Sequence, residues 1–113
     1  MERDFRKPAS LIPVADLGEV PKGSKLGRRV AGTRILLVNA GSGIHAYEDR
    51  CRHRDVPLCE GSLEGGVLTC RAHEWRYDAE TGCAIQRPGV RLRRYPVRIE
   101  ADRILVDLGD SGS

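Results

Sequence analysis

Two short pairs of metal-binding residues constrain this chain more than any other feature. Cys51 and His53 have one residue between them, and Cys70 and His73 have two. Sixteen residues separate the pairs, which is the length of a loop or a hairpin. In a zinc site with four ligands, the members of each pair usually lie two or more residues apart, because both must reach one ion. The tight first pair favours a site with two metal ions, and a structural zinc site is the alternative.

The residues around both pairs resemble those of the Rieske iron-sulfur proteins. The similar segments are residues 53–58, 60–70, 73–78 and 81–82, within a resemblance that covers about residues 33–108. It points to the ferredoxin component of toluene-type multicomponent bacterial oxygenases. The resemblance implies one [2Fe-2S] cluster, with Cys51 and Cys70 on one iron and His53 and His73 on the other. Arg52 is a departure, since the family usually has a small residue or proline there.

The resemblance also implies a function. Such proteins are soluble one-electron carriers that pass electrons from an NAD(P)H-dependent flavoprotein reductase to the oxygenase component. The chain has no evident nucleophile and base pair or phosphate loop, so we do not expect an enzyme. One alternative is a Rieske-like small subunit of an enzyme of the nitrite-reductase type. Another is a zinc-stabilised nucleic-acid-binding module, but one Phe, one Trp and three Tyr offer little surface for base stacking.

By resemblance, three further residues form the environment of the cluster. Tyr77 lies where a tyrosine of high-potential family members donates a hydrogen bond to a cluster thiolate; the alternative is a hydroxyl that points to solvent. Trp75 replaces a serine donor, which implies a reduction potential near the bottom of the range of about −150 to +300 mV. Its ring either packs under the cluster loop or contacts a partner. Pro88 with Gly89 resembles the third loop that covers the cluster, or is an ordinary turn.

Arginines are concentrated near the two pairs, although the formal net charge is only +3. Arg52, Arg54 and Arg71 fall within the proposed cluster loops, and Arg50 and Arg87 lie beside them. Such a basic rim would steer association with an acidic partner surface. A generic solvated face is the alternative interpretation.

Glycine and proline interrupt the sequence every eight to twelve residues and no long helical stripe appears, so the pattern predicts an all-β protein. The resemblance implies the Rieske fold, an antiparallel β-sandwich base with an inserted cluster-binding subdomain at about residues 49–90 of a single domain, 1–113. A helical turn is expected after Asp16. The predicted strands are residues 9–14, 25–30, 33–39, 44–48, 67–70, 76–78, 83–86, 94–100 and 103–108.

No segment has the character of a membrane anchor. The longest aliphatic run, Ile35–Val38, is far too short to span a bilayer, and the first residues have no apolar signal core. We therefore expect a cytoplasmic monomer that binds neither membrane nor nucleic acid. In a reducing compartment cysteines rarely form disulfides, and we expect Cys59 and Cys83 to be small buried or half-buried thiols.

Overall fold

The computed structural model describes residues 11–52, 56–71 and 75–108. Within these ranges the chain forms ten strands, all paired antiparallel, and two 3-10 turns at Leu17–Glu19 and Leu58–Glu60. The strands are β1 Leu11–Asp16, β2 Lys25–Val30, β3 Thr33–Asn39, β4 Ile44–Glu48, β5 Ser62–Glu64, β6 Val67–Thr69, β7 Arg76–Asp78, β8 Arg94–Tyr95, β9 Val97–Glu100 and β10 Arg103–Asp107. In the same ranges, no helix has the length and apolar character needed to cross a membrane. The all-β prediction is confirmed.

A central sheet with the strand order β2-β3-β4-β8 organises the fold. Ile35, Leu36, Leu37 and Val38 follow one another in β3, and all four are fully buried. Successive side chains of a strand point to opposite faces, so four buried residues in a row require cover on both faces. Ile35 and Leu37 pack into one hydrophobic core, and Leu36 and Val38 pack into another. The central sheet therefore lies between two cores.

The first core, here called the base core, lies between the central sheet and the sheet β1-β10-β9. Ile104 and Val106 alternate along β10 and are both fully buried, as their spacing predicts. Burying one such side chain stabilises the fold by about 1.5–3 kcal/mol. The buried members of the base core are Val14, Val20, Ile35, Leu37, Ala46, Tyr95, Ile104 and Val106.

Pro96 divides one predicted strand into two. Residues 94–100 were expected to be continuous, but Arg94–Tyr95 pairs with β4 while Val97–Glu100 pairs with β10. Proline has no N–H for a ladder hydrogen bond, so a strand does not readily run through it. The division lets one stretch of chain pass from the central sheet to the outer sheet of the base.

The second core, here called the cluster-side core, lies on the other face of the central sheet. It is covered by the sheet β5-β6-β7 and the segments around it. Its fully buried members include Leu36, Tyr47, Leu58, Leu68, Tyr77 and Leu92. This arrangement agrees with the predicted base and inserted subdomain.

On this side, one predicted strand is wrong and two short elements were not predicted. Residues 83–86 form only isolated bridges, Tyr77 with Ala84 and Cys83 with Arg91, so the predicted strand there is wrong. The strand β5 and the 3-10 turn at Leu58–Glu60 were not predicted. Each has only three residues, which is too short for hydrophobic periodicity to indicate it.

The meander of the base follows the sequence closely. β2, β3 and β4 have the predicted bounds, and β2 pairs with β3 around Ala31 and Gly32. The turn after Asp16 is also present, and the Asp16 N–H donates to the Glu19 carboxylate over 2.9 Å. The first strand was predicted at residues 9–14, and the described part of it continues to Asp16.

Candidate metal centre

The first thiol lies at the head of a closed loop that follows β4. Cys51 is 1% exposed, and its N–H donates to the carbonyl oxygen of Val56 over 2.9 Å. Asp49 fixes the base of this loop, because its Oδ1 accepts the N–H of Cys59 over 2.9 Å and its N–H donates to the Arg34 carbonyl. The loop therefore begins and ends at hydrogen-bonded positions.

The second thiol lies at the head of a matching loop between β6 and β7. Cys70 is fully buried and follows the last residue of β6, as predicted. Its N–H donates to the carbonyl oxygen of Trp75 over 2.7 Å. In both loops the cysteine is hydrogen-bonded to the fifth residue after it, so two loops of equal length present a buried thiol at the same position.

Tyr77 connects these two loops. Its hydroxyl lies 3.3 Å from Cys51 Sγ and accepts the N–H of Arg52 over 3.1 Å. Because the oxygen already accepts one hydrogen bond, its own proton is available to the sulfur. Burial raises the pKa of Tyr77; the hydrogen bond to Cys51 and the charges of Cys51 and Cys70 raise it further, and the Arg52 N–H opposes them. The phenol therefore stays protonated beside the Cys51 sulfur.

The other two predicted ligands, His53 and His73, and the predicted docking residue Arg54 lie outside the described residues. In the sequence, His53 lies between Cys51 and Val56, and His73 lies between Cys70 and Trp75. Within residues 11–52, 56–71 and 75–108, no three side chains of His, Cys, Asp or Glu converge as a metal site. The described part of the centre is thus the pair of thiols with Tyr77.

Two buried thiols and a phenol donor fit an iron-sulfur cluster. Thiolates are the usual protein ligands of such clusters, and hydrogen bonds to sulfur adjust their potentials. All four cysteines of the chain are described, and none of them forms a disulfide. The donor set of the described residues therefore agrees with the cluster that the sequence implies.

The remaining two thiols have ordinary structural surroundings. Cys59 and Cys83 are both half-buried. Burial raises the pKa of Cys59 to about 11, and its hydrogen bond with Asp49 adds to this. Cys59 therefore remains a protonated thiol, which is a poor metal ligand.

The second loop is linked to the predicted third loop by an arginine. Trp75 is half-buried against the cluster-side core, and the Arg87 guanidinium lies 5.0 Å from the centroid of its ring. Pro88 and Gly89 form an exposed turn, closed by a bond of 3.1 Å from the Val90 N–H to the Arg87 carbonyl. The Trp75 ring thus packs on the core and also carries a cation on its outer face.

The arginines of the rim differ in their partners. Arg52 is exposed, while Arg71 Nη2 lies 3.1 Å from Glu60 Oε1. Arg50 forms a longer contact of 3.9 Å with Glu48. Exposed ion pairs of this kind contribute about 0–1 kcal/mol, so neither is a strong structural tie.

Asp49 is a residue of this site that the sequence did not reveal. It is 3% exposed, yet it stands between Glu48 and Arg50, in a run of charges that looks solvated. Gly27 of β2 lies against it: a Cβ there would come within 2.6 Å of Cys59 Sγ and 3.0 Å of Asp49 Oδ2. The role of Asp49 in holding the first loop depends on the packing of Cys59 against β2. No pattern in the sequence indicates that packing.

An all-β fold with two matched loops, each headed by a buried thiol, and with a phenol beside the first thiol, fits an iron-sulfur protein. The profile of the Rieske [2Fe-2S] domain matches residues 10–96. The chain belongs to this family and carries its [2Fe-2S] cluster.

Relatives similar in sequence to this chain include ferredoxin components of oxygenase systems. The ferredoxin component of the naphthalene 1,2-dioxygenase system of Pseudomonas aeruginosa is 35% identical over 98 residues, which cover 86% of this chain and 94% of the relative. The ferredoxin component of the alkene monooxygenase system of Xanthobacter autotrophicus is 42% identical over 73 residues, but these cover 64% of this chain and 60% of that relative.

A solved structure has the same fold. It is the complex of reduced oxygenase and oxidized ferredoxin in carbazole 1,9a-dioxygenase. One chain of it aligns with a TM-score of 0.77 and 25% identity, covering 87% of this chain and 93% of that chain. The predicted family and fold are confirmed.

Proposed function

We propose that this protein is the ferredoxin of a multicomponent oxygenase system. It accepts one electron from an NAD(P)H-dependent flavoprotein reductase and passes it to the oxygenase component. The observation that carries the proposal is the pair of buried thiols at the heads of two matched loops, with the Tyr77 hydroxyl against Cys51. Relatives of nearly the same length are ferredoxin components, which supports a carrier rather than a catalytic subunit.

We assign the cluster ligands as Cys51 and Cys70 on one iron and His53 and His73 on the other. The cluster supplies a centre that gains and loses one electron. Burial of the two thiols keeps water from the sulfur side, and Tyr77 provides a proton donor to it. Trp75 and Pro88 complete the environment at the second and third loops.

Docking is assigned to the arginine rim, Arg52, Arg54 and Arg71. The side chains of Arg52 and Arg71 are exposed, and 65% of the Arg71 side chain is accessible although it contacts Glu60. An acidic surface on the oxygenase or the reductase would complement them. We further propose a monomeric, cytoplasmic protein of one domain, 1–113, with the cluster-binding subdomain at about 49–90. None of its four cysteines forms a disulfide, which fits a reducing compartment.

Substitution of single ligands tests the assignment. Cys51→Ser, Cys70→Ser, His53→Ala and His73→Ala should each abolish or grossly alter the visible and EPR spectra of the cluster. Cys59→Ser and Cys83→Ser are matched controls, because they remove thiols with ordinary surroundings and should leave the spectra intact. Loss of the cluster only in the two controls would show that the ligand assignment is wrong.

Reconstitution tests the function. The purified protein should contain iron and acid-labile sulfide in equal amounts, and should support turnover when combined with a flavoprotein reductase and an oxygenase of the naphthalene or alkene type. Zinc without sulfide would contradict the proposal, as would an inability to accept an electron from any reductant.

A further inference from the structure

Two side chains of the central sheet hold the turn that follows β7. Tyr47 of β4 is fully buried, and its hydroxyl donates to the carbonyl oxygen of Ala79 over 2.8 Å. Arg94 of β8 donates from Nη1 to the carbonyl oxygen of Glu80 over 3.1 Å. Two successive carbonyls of the turn are therefore bound by donors from the central sheet.

The turn itself is closed by its own hydrogen bonds. Asp78 Oδ1 accepts the N–H of Glu80 over 2.8 Å and that of Thr81 over 3.3 Å. The Gly82 N–H donates to the Asp78 carbonyl over 2.7 Å. Because these bonds make the turn one unit, side chains that hold two of its carbonyls set the position of the whole turn.

The turn also packs closely against the central sheet. Gly82 lies on the Tyr47 ring, and a Cβ at Gly82 would come within 2.7 Å of Tyr47 Cε1. The Arg94 guanidinium lies 5.8 Å from the centroid of the same ring, and its Nη2 donates to His45 Nδ1 over 2.9 Å. Burial raises the pKa of Tyr47 to about 12, so its hydroxyl keeps the proton that it donates to Ala79.

The held turn leads directly to the cluster. Ala79 lies two residues after Tyr77, whose hydroxyl is 3.3 Å from Cys51 Sγ. We propose that Tyr47 and Arg94 are positioning residues for electron transfer, because they hold β7 at the height that places the Tyr77 hydroxyl on the Cys51 sulfur. The inference rests on the function proposed above. Side chains of the central sheet would thus contribute to the reduction potential of the cluster.

Tyr47→Phe tests this step, since it keeps the ring and removes only the donor. The variant should retain the cluster spectrum and have a lower reduction potential than the parent, with a smaller shift than Tyr77→Phe causes. In the double variant, Tyr47→Phe should add no further shift, because its effect passes through the hydroxyl that Tyr77→Phe has already removed.

Arg94→Gln tests the second donor, with Arg93→Gln as the matched control. Arg93 is the adjacent residue, and it lies 5.4 Å from the ring centroid of Tyr95, which packs in the base core. Both substitutions remove one positive charge, so the difference between them isolates the contacts of Arg94. We expect the potential to fall further in Arg94→Gln than in Arg93→Gln.

The outcomes separate positioning from simple stabilisation. An unchanged potential in either test variant, with the cluster intact, removes the role from that residue, and in both variants it overturns the inference. Additive shifts in the double variant also overturn it. If Tyr47→Phe fails to fold, the two arginine variants decide. A parent protein without a [2Fe-2S] spectrum would instead contradict the proposed function, before any variant is compared.

Discussion

At the scale of single residues, the Tyr77 hydroxyl lies 3.3 Å from Cys51 Sγ, a thiol that we propose as a cluster ligand. A hydrogen bond to a thiolate sulfur withdraws electron density and favours the reduced state. A net contribution of about 0.5–1.5 kcal/mol for one hydrogen bond corresponds to roughly 20–60 mV for one electron. Tyr77→Phe should therefore lower the potential by that amount, which protein-film voltammetry would measure.

Tyr95→Phe is the control for this prediction. Tyr95 is also a buried tyrosine, 6% exposed, but it belongs to the base core. Its loss of a hydroxyl should leave the potential unchanged. Equal potentials for parent and Tyr77→Phe, with unchanged spectra, would mean that the hydroxyl does not act on the sulfur.

Single residues also mark how far the sequence could predict the site. Spacing is a local property, so the sequence was enough to predict that Cys51 and Cys70 lie in two loops, and both are buried at the heads of such loops. Their assignment as ligands stays a prediction. The orientation of Tyr77 was left open, since its contact with Cys51 joins residues 26 positions apart. The strand that carries Tyr47 was predicted, but its hydrogen bond to Ala79 was not, because the two residues lie 32 positions apart. Contacts of this kind depend on the register between sheets, which hydrophobic periodicity does not contain.

At the scale of elements, strands also show that the sequence predicts local structure better than contacts between sheets. β3 was predicted with correct bounds because its apolar run is long, but the run does not say that two cores cover it. Pro96 carried a usable signal for the division of residues 94–100, since proline interrupts a ladder. β5 had none, because three residues at the edge of a small sheet are held by their partner β6.

Gly61, where the second 3-10 turn ends, gives a prediction for an element. A Cβ at Gly61 would lie 1.9 Å from the carbonyl oxygen of Thr69, the last residue of β6. Gly61→Ala must therefore displace the backbone just before Cys70. Overpacking usually costs about 1–3 kcal/mol, and in a domain of this size each kcal/mol lowers Tm by about 4–8 °C. We expect a lower Tm and a lower iron content per chain.

Gly18→Ala is the matched control for that substitution. Gly18 lies in the other 3-10 turn, and a Cβ there would meet no atom within 4 Å. Gly18→Ala should change the free energy of unfolding by no more than about 0.5 kcal/mol, as surface substitutions usually do, so its Tm should stay close to that of the parent. Equal Tm values and iron contents for the two variants would contradict the close packing at Gly61.

At the scale of the whole molecule, the three sheets form two cores, and each core supports a different part of the protein. The base core holds the central sheet from one side, and the cluster-side core holds the two thiols from the other. Asp49 and Arg94 are charged residues that belong to this frame through their hydrogen bonds, whereas Arg52 and Arg71 are exposed on its surface. Exposed arginines can therefore serve association while the buried residues fix the cluster.

Charge reversal in the arginine rim tests whether exposed arginines affect association without affecting the cluster. Arg52→Glu together with Arg71→Glu reverses two exposed charges beside the cluster loops. If the rim steers docking, delivery of electrons to the oxygenase should slow by about tenfold or more at low ionic strength. The difference should shrink as salt is added, because the Debye length falls from about 10 Å at 0.1 M to about 3 Å at 1 M. Stopped-flow measurement across this range would record both effects.

Arg98→Glu together with Arg103→Glu provides the same change of net charge on the outer sheet of the base. Arg98 resembles Arg71 in its surroundings, since its Nε lies 3.5 Å from Glu100 Oε2 and about half of its side chain is exposed, 53%. The control should therefore bear a similar loss of a surface ion pair and keep parental rates of transfer. Cluster spectra should be the same in all three proteins, because the reversed charges are on exposed side chains and both thiols are buried. Rates that fall equally in both double variants would assign the effect to net charge, and rates that match the parent at every salt concentration would leave the rim as an ordinary solvated face.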